Sequence, residues 1–157
     1  MHKKTLEILV GIPCSGKSTY SKDPIHSFFC NVTILSRDNI RLKYFGKDYK
    51  QNQRQEEIVT KIYNNLLYSH LNNNYTTHMI LDNTHCKESY IDEIVNNHKD
   101  DCNIKITFFD IPLWRAKLRN YIRYLKTGKW IPIKVINSMY TNYNKINKKK
   151  YEHLVHK

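Results

Sequence analysis

The segment Gly11-Ile12-Pro13-Cys14-Ser15-Gly16-Lys17-Ser18-Thr19 is the part of this sequence with the most clearly defined chemistry. It satisfies the pattern G-x-x-x-x-G-K-[ST], in which a glycine-dependent loop turns its backbone N–H groups inward and cradles phosphates. We expect Gly11 and Gly16 to adopt conformations closed to other residues. The segment therefore predicts binding of ATP and Mg²⁺, with Lys17 bridging the β- and γ-phosphates and the Ser18 hydroxyl on the metal.

Cys14 is the unusual residue of this cradle, because loops of this kind often have glycine there. A thiol beside bound phosphates can be activated by the positive local field. We therefore expect alkylation of Cys14 to inhibit the protein and ATP to protect it.

Polar residues follow each of the predicted strands. The apolar run Leu6 to Val10 precedes the cradle, and the strands Val32 to Leu35, His78 to Leu81 and Ile104 to Phe109 end at Ser36-Arg37-Asp38, Asp82-Asn83-Thr84 and Asp110-Ile111-Pro112. Strands that alternate with helices predict a parallel sheet, whose ligands bind at the carboxyl ends of the strands. The polar side chains are thus expected to meet the cradle at one edge.

The helices that must position these residues can also be predicted. After Lys17 a helix should break at Asp23-Pro24, and 25–31 reads as loop. Further helices are predicted from a cap at Asp38 toward Gly46, over 53–72, around Tyr90 to Val95, over 113–125 and after Pro132. This pattern predicts a single domain over 1–157 with a three-layer α/β fold, a central parallel sheet of about four to five strands and a lid at about 119–132. A basic tail is predicted at about 147–157, with disorder at Lys148 to Lys150.

Composition limits the classes of protein. The net charge of +12 and pI near 9.5 favour a polyanionic partner, with a merely solvated basic surface as the alternative. The four cysteines form no C-x-x-C pair, so reduced thiols are expected and a zinc site is not. The amino-terminal residues do not read as a signal peptide or membrane span, so we expect a soluble, cytoplasmic protein.

The residue after Asp82 bears on the type of reaction. Motor and switch NTPases usually have a second acidic residue after this aspartate to activate water, but Asn83 follows Asp82 in this sequence. This favours transfer of a phosphoryl group to a bound hydroxyl, which requires a base, a clamp on the acceptor and a cation over the transferring group.

An ordered set of motifs resembles the 5′-kinase domain of phage-type polynucleotide kinases over nearly the whole chain. The set comprises GIPCSGKST, then S-R-D-N-I-R at 36–41, I-L-D-N-T at 80–84, F-F-D-I-P at 108–112, L-R-N-Y-I-R at 118–123 and I-P-I-K-V-I-N-S-M-Y at 131–140. The sequence departs from the family at Cys14, at Asn39 and at Asn83-Thr84-His85, which affects the inferred choice of substrate. The resemblance implies ATP-dependent phosphorylation of a 5′-hydroxyl end of DNA or RNA.

The resemblance also implies residue roles. Asp38 matches the general base, although it could equally serve as a helix N-cap. Arg41 matches the arginine that grips the acceptor phosphate, with a surface ion pair as the alternative. Arg37 and Asp82 are assigned to substrate binding, and whether Asp82 acts on Mg²⁺ or on an arginine is left open.

The predicted lid supplies the remaining residues. Arg123 matches the lid arginine that stabilises charge on the transferring phosphoryl group, Arg119 is expected to help hold ATP, and Pro132 to flank the adenine. The alternative for both arginines is a basic helix that touches only nucleic acid. Two other functions are also consistent with the sequence, namely a kinase of hydroxymethyl groups on modified bases or of small-molecule alcohols, and an ATP-responsive nucleic-acid-binding protein without catalysis.

Overall fold

The computed structural model describes residues 3–23, 31–46, 49, 52–73 and 75–155, and its centre is a parallel sheet. Four strands, β1 Lys4–Val10, β2 Val32–Leu35, β3 His78–Leu81 and β4 Cys102–Phe108, are ordered β2-β3-β1-β4. All three neighbouring pairs are parallel, so the strands end at one edge. The helices are α1 Lys17–Ser21, α2 Arg37–Phe45, α3 Gln53–Asn72, α4 Glu88–His98, α5 Leu113–Thr127, α6 Ile133–Asn144 and a 3₁₀-helix, Lys148–Leu154.

One face of the sheet carries the main apolar core. Leu6 and Ile8 of β1 are completely buried and share a cluster with Val59 and Tyr63 of α3 and Ile91 of α4. Because side chains alternate along a strand, the odd positions of β1 belong to the opposite face. Helical periodicity in α3 and α4 follows from the need to cover the first face.

The opposite face contains a buried carboxylate, Glu7. In the sequence this residue lies within the apolar run of β1, and its burial was not predicted. Its side chain is 0% exposed and accepts hydrogen bonds from Tyr20 at 2.8 Å and Thr107 at 2.5 Å. Lys105 and His78 each lie 3.0 Å from its oxygens. Burial raises the pKa of Glu7, but hydrogen bonds from these four partners lower it to about 2. The Tyr20 bond fixes α1, and hence the loop before it, to the sheet.

Most predicted elements are confirmed, and the differences have local causes. Strands β2 and β3 and helix α3 have the predicted bounds, whereas β4 begins two residues early and ends at Phe108. Ser36, not Asp38, is the N-cap of α2, so the prediction that Asp38 caps this helix was wrong. The basic stretch expected to be a disordered tail is a 3₁₀-helix, because Tyr151 is buried and donates to Asp92 at 2.6 Å.

Two further expectations concern the predicted loop after Pro24 and the possibility of a membrane span. Of the predicted loop 25–31, all but Asn31 lies outside the described residues, as does Pro24. Among the helices in the described parts of the chain, none combines the length and the apolar character that crossing a bilayer requires.

Candidate active site

Three hydrogen bonds join the loops at the carboxyl edge of the sheet. The Gly11 N–H donates to the Thr84 carbonyl at 3.0 Å, Asp82 to Leu35 at 3.0 Å, and Phe109 to Val10 at 2.8 Å. Each bond connects the loop after one strand to a neighbouring strand or loop. The predicted meeting of polar residues at this edge therefore results from strand order and from these three contacts.

The glycines of the cradle are required for two different reasons. Gly16 has φ 110° and precedes α1, a left-handed conformation that glycine adopts without strain. Gly11 does not have a positive φ. A Cβ there would lie 2.8 Å from Ser15 Oγ and 2.9 Å from Phe109 Cβ, so only glycine fits the close approach. The expectation of unusual dihedral angles was correct for Gly16 and wrong for Gly11.

Lys17 lies inside the loop, with 6% of its surface exposed. Its Nζ donates to the carbonyls of Gly11 and Ile12, both at 2.8 Å, and to Ser15 Oγ at 3.2 Å. Burial lowers the pKa of Lys17, while the nearby groups of Cys86, Asp82, Cys14 and Asp38 oppose that shift. Phosphate oxygens would therefore replace carbonyl partners of an ammonium group that is already in place.

Cys14 occupies the cradle in a left-handed conformation, φ 63°, and its side chain is half-buried. We expect stoichiometric alkylation of Cys14 to abolish nucleotide binding, because the added group occupies the phosphate space, and bound ATP to slow the modification. Cys14→Gly should remain active and become resistant, since glycine adopts this φ without strain. Labelling located by peptide mass spectrometry, with nucleotide binding measured in parallel, tests this. Normal binding after complete labelling, or unchanged sensitivity in Cys14→Gly, would refute it.

The residues near the start of α1 fit a magnesium ion by the chemistry of their donors. Ser18 is exposed at the start of α1, and Asp82 Oδ2 accepts from Ser21, one turn further along the helix, at 3.0 Å. Hydroxyl and carboxylate oxygens are the ligands that Mg²⁺ prefers. Asp82 is thus joined to α1 through Ser21, and whether it acts on Mg²⁺ or on an arginine stays a prediction.

Asp38 and Arg41 form a pair on the first turns of α2. Arg41 Nη1 lies 2.5 Å from Asp38 Oδ1, and the Asp38 side chain is 88% exposed. On its other side Arg41 makes a two-pronged contact with Glu56 of α3, with Nε and Nη2 at 2.8 and 2.9 Å from the two carboxylate oxygens. Glu56 raises the pKa of Arg41, and the Arg41 hydrogen bonds lower the pKa of Glu56 to about 2. Asp38 thus presents an accessible carboxylate beside a guanidinium of fixed orientation.

Arg37 has a more structural environment. Its guanidinium lies against the Tyr63 ring at 5.7 Å, donates to Thr60 and is 3.6 Å from Glu56. Its backbone N–H donates to Asn83 Oδ1 at 3.1 Å, and Asn83 also donates to the Tyr63 hydroxyl at 3.1 Å. Asn83 therefore connects the end of β3 to the beginning of α2 and helps to place Asp38.

The predicted lid, about 119–132, comprises the second half of α5 and the turn at 128–132. Arg119 extends over the cradle, with Nη1 3.3 Å from the Cys14 carbonyl and 3.4 Å from that of Ser15. Arg123 Nη2 donates to Asn120 Oδ1 at 3.2 Å. Asn120 is completely buried and exchanges two hydrogen bonds with the backbone of Ile131, at 2.8 and 3.2 Å. One buried amide thus joins the arginine of the helix to the turn.

Pro132 and a neighbouring groove complete the surroundings. Pro132 is exposed and is the N-cap of α6, where its carbonyl accepts from Val135 and Ile136. A groove of about 470 Å³ separates α6 from the loop after β3. Its volume is typical of sites for nucleoside-sized ligands. The residues that line it are Thr84, Cys86, Lys87, Tyr90, Lys134, Val135, Ser138, Met139 and Asn142.

His85 is buried and hydrogen-bonds the end of β1, just before the cradle. It has φ 42°, is 8% exposed, and its Nδ1 donates to the Leu9 carbonyl at 2.9 Å. Burial lowers the pKa of His85 to about 4, although the backbone hydrogen bond opposes this, so the ring is neutral near pH 7. The hydrogen bond from this neutral ring fixes His85 to β1, and thereby also fixes the preceding residue, Thr84, whose carbonyl accepts from the Gly11 N–H.

Acidification should destabilise the protein through His85. The unfolded histidine binds a proton below its ordinary pKa of 6.5, but the folded one does so only near 4, so stability is present above pH 6.5 and is lost as the pH falls toward 4. Between pH 7.5 and 4.5 this linkage removes about 2 to 3 kcal/mol of unfolding free energy. His85→Asn, which retains His98 with its own lowered pKa, should show that much less pH dependence in urea titrations. Equal slopes for the two proteins would contradict the assignment.

A phosphate cradle at the carboxyl edge of a parallel sheet, with Arg119 of α5 in contact with its carbonyls, defines a P-loop domain of the kinase type. Comparison with known families agrees. Residues 6–146 match the P-loop family described as an AAA domain, and the chain belongs to that family.

Solved structures show the same likeness. A chain of the Pnkp1/Rnl/Hen1 RNA repair complex is 30% identical with a TM-score of 0.82, over 97% of this chain and 47% of that one. A second structure of the Pnkp1/Rnl/Hen1 complex matches at 30% identity and a TM-score of 0.62, over 74% of this chain and 39% of the other. The chain thus spans less than half the length of these two relatives. The predicted resemblance to the 5′-kinase domain of polynucleotide kinases is confirmed.

A more distant match agrees in fold alone. A gluconokinase from Sinorhizobium meliloti 1021 is 13% identical with a TM-score of 0.56, over 99% of this chain and 82% of that one. The α/β fold with a central four-stranded parallel sheet is therefore that of the P-loop kinases.

Reasoning from sequence assigned no supporting role to Glu56, Asn83, Asn120 or His85, although Asn83 and His85 were noted as departures from the family pattern. Each acts through another residue and not through a motif of its own. Asn120 had a usable signal, since it stands between Arg119 and Arg123 on a helix face that packs inward. Glu56 had none, because its partner is 15 residues away in the sequence.

Proposed function

We propose that this domain transfers the γ-phosphate of ATP to the 5′-hydroxyl end of DNA or RNA. The observation that carries the proposal is the pair formed by Asp38 and Arg41, a carboxylate and a guanidinium 2.5 Å apart beside the phosphate cradle. Asp38 is one of the groups that oppose the lowering of the Lys17 pKa by burial, which supports a position of its carboxylate near the cradle. A carboxylate base beside an arginine that can bind phosphate suits an acceptor in which the hydroxyl lies close to a phosphate, as it does in a nucleotide with a 5′-hydroxyl end.

Arg41 has capacity for such an acceptor. A guanidinium has five N–H groups. Within the described parts of the chain three are engaged, two by Glu56 and one by Asp38, which leaves one N–H on Nη1 and one on Nη2. Those two match the bidentate geometry by which arginine binds a phosphate diester, so Arg41 can hold the first internucleotide phosphate while Glu56 keeps its orientation.

The chemical step uses these residues in order. The Asp38 carboxylate accepts the proton of the 5′-hydroxyl as the oxygen attacks the γ-phosphorus. The new O–P bond forms while the bond from the γ-phosphorus to the β–γ bridging oxygen breaks, and ADP leaves with that electron pair. Lys17 and Arg123 stabilise the charge that develops on the oxygens of the transferring group. Mg²⁺, held by Ser18 and Asp82, would neutralise charge on the β- and γ-phosphates.

Transfer from labelled ATP to 5′-hydroxyl oligonucleotides, with ribose and deoxyribose ends in parallel, tests the proposal. Label released as a 5′-nucleotide after nuclease digestion is the expected result. Label on a base would instead indicate a kinase of modified bases, and label only on small alcohols a metabolite kinase. Salt-sensitive nucleic-acid binding with ATP left intact would indicate a binding protein without catalysis.

A further inference from the structure

Asn120 is the last buried residue of α5, and none of its side chain is exposed. The helix continues for about two turns beyond it. In that stretch, residues 121–127, the side chains are exposed except for the half-buried Arg123. Arg123 therefore lies on a helix end that packs little against the rest of the domain, and its position depends on what holds Asn120.

The Asn120 amide pairs with the backbone of the lid turn through both of its ends. Its Nδ2 donates to the Ile131 carbonyl at 2.8 Å, and its Oδ1 accepts from the Ile131 N–H at 3.2 Å. Ile131 packs against the apolar core, and the next residue, Pro132, is the N-cap of α6. The buried amide thus fixes the exposed end of α5 relative to the core by way of the turn at 128–132.

The same Oδ1 of Asn120 accepts from Nη2 of Arg123 at 3.2 Å. The Nε atom of Arg123 is buried and has no hydrogen-bond partner within the described parts of the chain. A buried donor without an acceptor is costly and uncommon in native structures, so it calls for a functional reason. An oxygen of a transferring phosphoryl group can be the acceptor that this guanidinium lacks.

We propose that Asn120 is a positioning residue for Arg123 and couples it to the lid turn, so that a change at one is transmitted to the other. A cation stabilises developing charge best when it is in place before the charge appears. Asn120 acts only through the arginine and touches neither ATP nor the acceptor. This rests on the proposed function for the part that Arg123 has in transfer, but not for the identity of the acceptor.

A double-mutant cycle tests the positioning role. Asn120→Ala should lower kcat by about 10- to 100-fold, because displacing a catalytic group by about 1 Å can cost about 10²-fold. In the Arg123→Ala background the same substitution should change kcat by less than about twofold, since no guanidinium is left to position. Equal losses in the two backgrounds would show a merely structural role and overturn the proposal.

Tyr151→Phe is the matched control for lost stability. It removes a buried hydrogen bond to Asp92 in the carboxyl-terminal 3₁₀-helix, outside the lid and the cradle. Urea titrations should show a lower unfolding free energy for Tyr151→Phe, as for Asn120→Ala, whereas kcat should fall only in Asn120→Ala.

A fluorescence test leaves Asn120 in place and requires only ATP binding. Trp114→Phe leaves Trp130, the neighbour of Ile131, as the one tryptophan of the chain. Saturating ATP should change the Trp130 emission, and Arg123→Ala should remove most of that change, because the phosphates act on the turn through Arg123 and Asn120. No change on ATP binding, or an undiminished change in Arg123→Ala, overturns the coupling.

The two tests separate this proposal from the proposed function. If the original protein transferred phosphate to none of the acceptors, the kinase assignment would fail, and the Trp130 signal would still decide whether Arg123 and the turn are coupled. If transfer were normal but Asn120→Ala kept full kcat, the kinase assignment would stand and the role of Asn120 would be refuted.

Discussion

Asp38→Asn is expected to lower the rate of phosphoryl transfer by about 10²- to 10⁴-fold, which is the usual contribution of a positioned general base. Asparagine keeps an oxygen that can accept from Arg41 at nearly the same position, so the clamp should persist. What is lost is the ability to take the proton of the acceptor hydroxyl. Single-turnover transfer to a 5′-hydroxyl oligonucleotide, with ATP affinity measured separately, checks the prediction.

The design isolates the base from the fold. Asp101→Asn removes an exposed carboxylate far from the cradle in sequence and should leave the rate unchanged. The ATP affinity of Asp38→Asn should stay within about twofold of the original, since the proposed role puts Asp38 against the acceptor and not the donor. A normal transfer rate in Asp38→Asn would remove Asp38 as the base, whatever the acceptor is.

Arg123→Ala should reduce kcat by about 10³-fold, the lower end of what an arginine contributes when it stabilises transition-state charge on a phosphoryl group. In the structure Nη2 of Arg123 donates one hydrogen bond to Asn120 Oδ1. Other N–H groups of the guanidinium are then left for the phosphoryl oxygens. Arg123→Lys should recover only a small part of the rate, because an ammonium group cannot keep the Asn120 contact and span two oxygens. Steady-state kinetics with varied ATP separates kcat from KM.

The contrast with Arg119 makes this prediction specific. Arg119 already contacts the loop carbonyls, so Arg119→Ala should mainly raise the KM for ATP. Lys61→Ala, an exposed cation of α3, should change neither parameter. If Arg123→Ala raised KM and left kcat intact, Arg123 would hold the nucleotide instead of acting on the reaction.

Lys17 illustrates how the loop is prepared for its ligand. Its three hydrogen bonds go to groups of the cradle itself, so the ammonium group is desolvated and oriented before a nucleotide arrives. Binding then exchanges neutral carbonyl acceptors for charged phosphate oxygens, which form stronger hydrogen bonds with an ammonium group. Little reorganisation is needed at the moment of transfer.

The sequence by itself determined the elements and the candidate residues. The apolar run before Gly11 and the periodicity of 53–72 are local patterns, and each produced a strand or a helix at or near the predicted bounds. Lys17 is identified by the motif of the cradle, whereas Asp38 and Arg41 became candidates through the resemblance to the 5′-kinase domain, so all three could be proposed without coordinates.

The tertiary structure alone decided which residues hold these groups in place. Arg41 meets Glu56 only because α2 packs on α3, and Asn120 meets Ile131 only because the lid turn folds back on α5. The same applies to Cys14, whose left-handed φ follows from closure of the loop, and to the exposed face of α5, whose periodicity in sequence resembles that of a buried helix. Residue type and spacing in the sequence indicate what chemistry a residue can perform. Its partners and its exposure depend on contacts between segments that are distant in the chain.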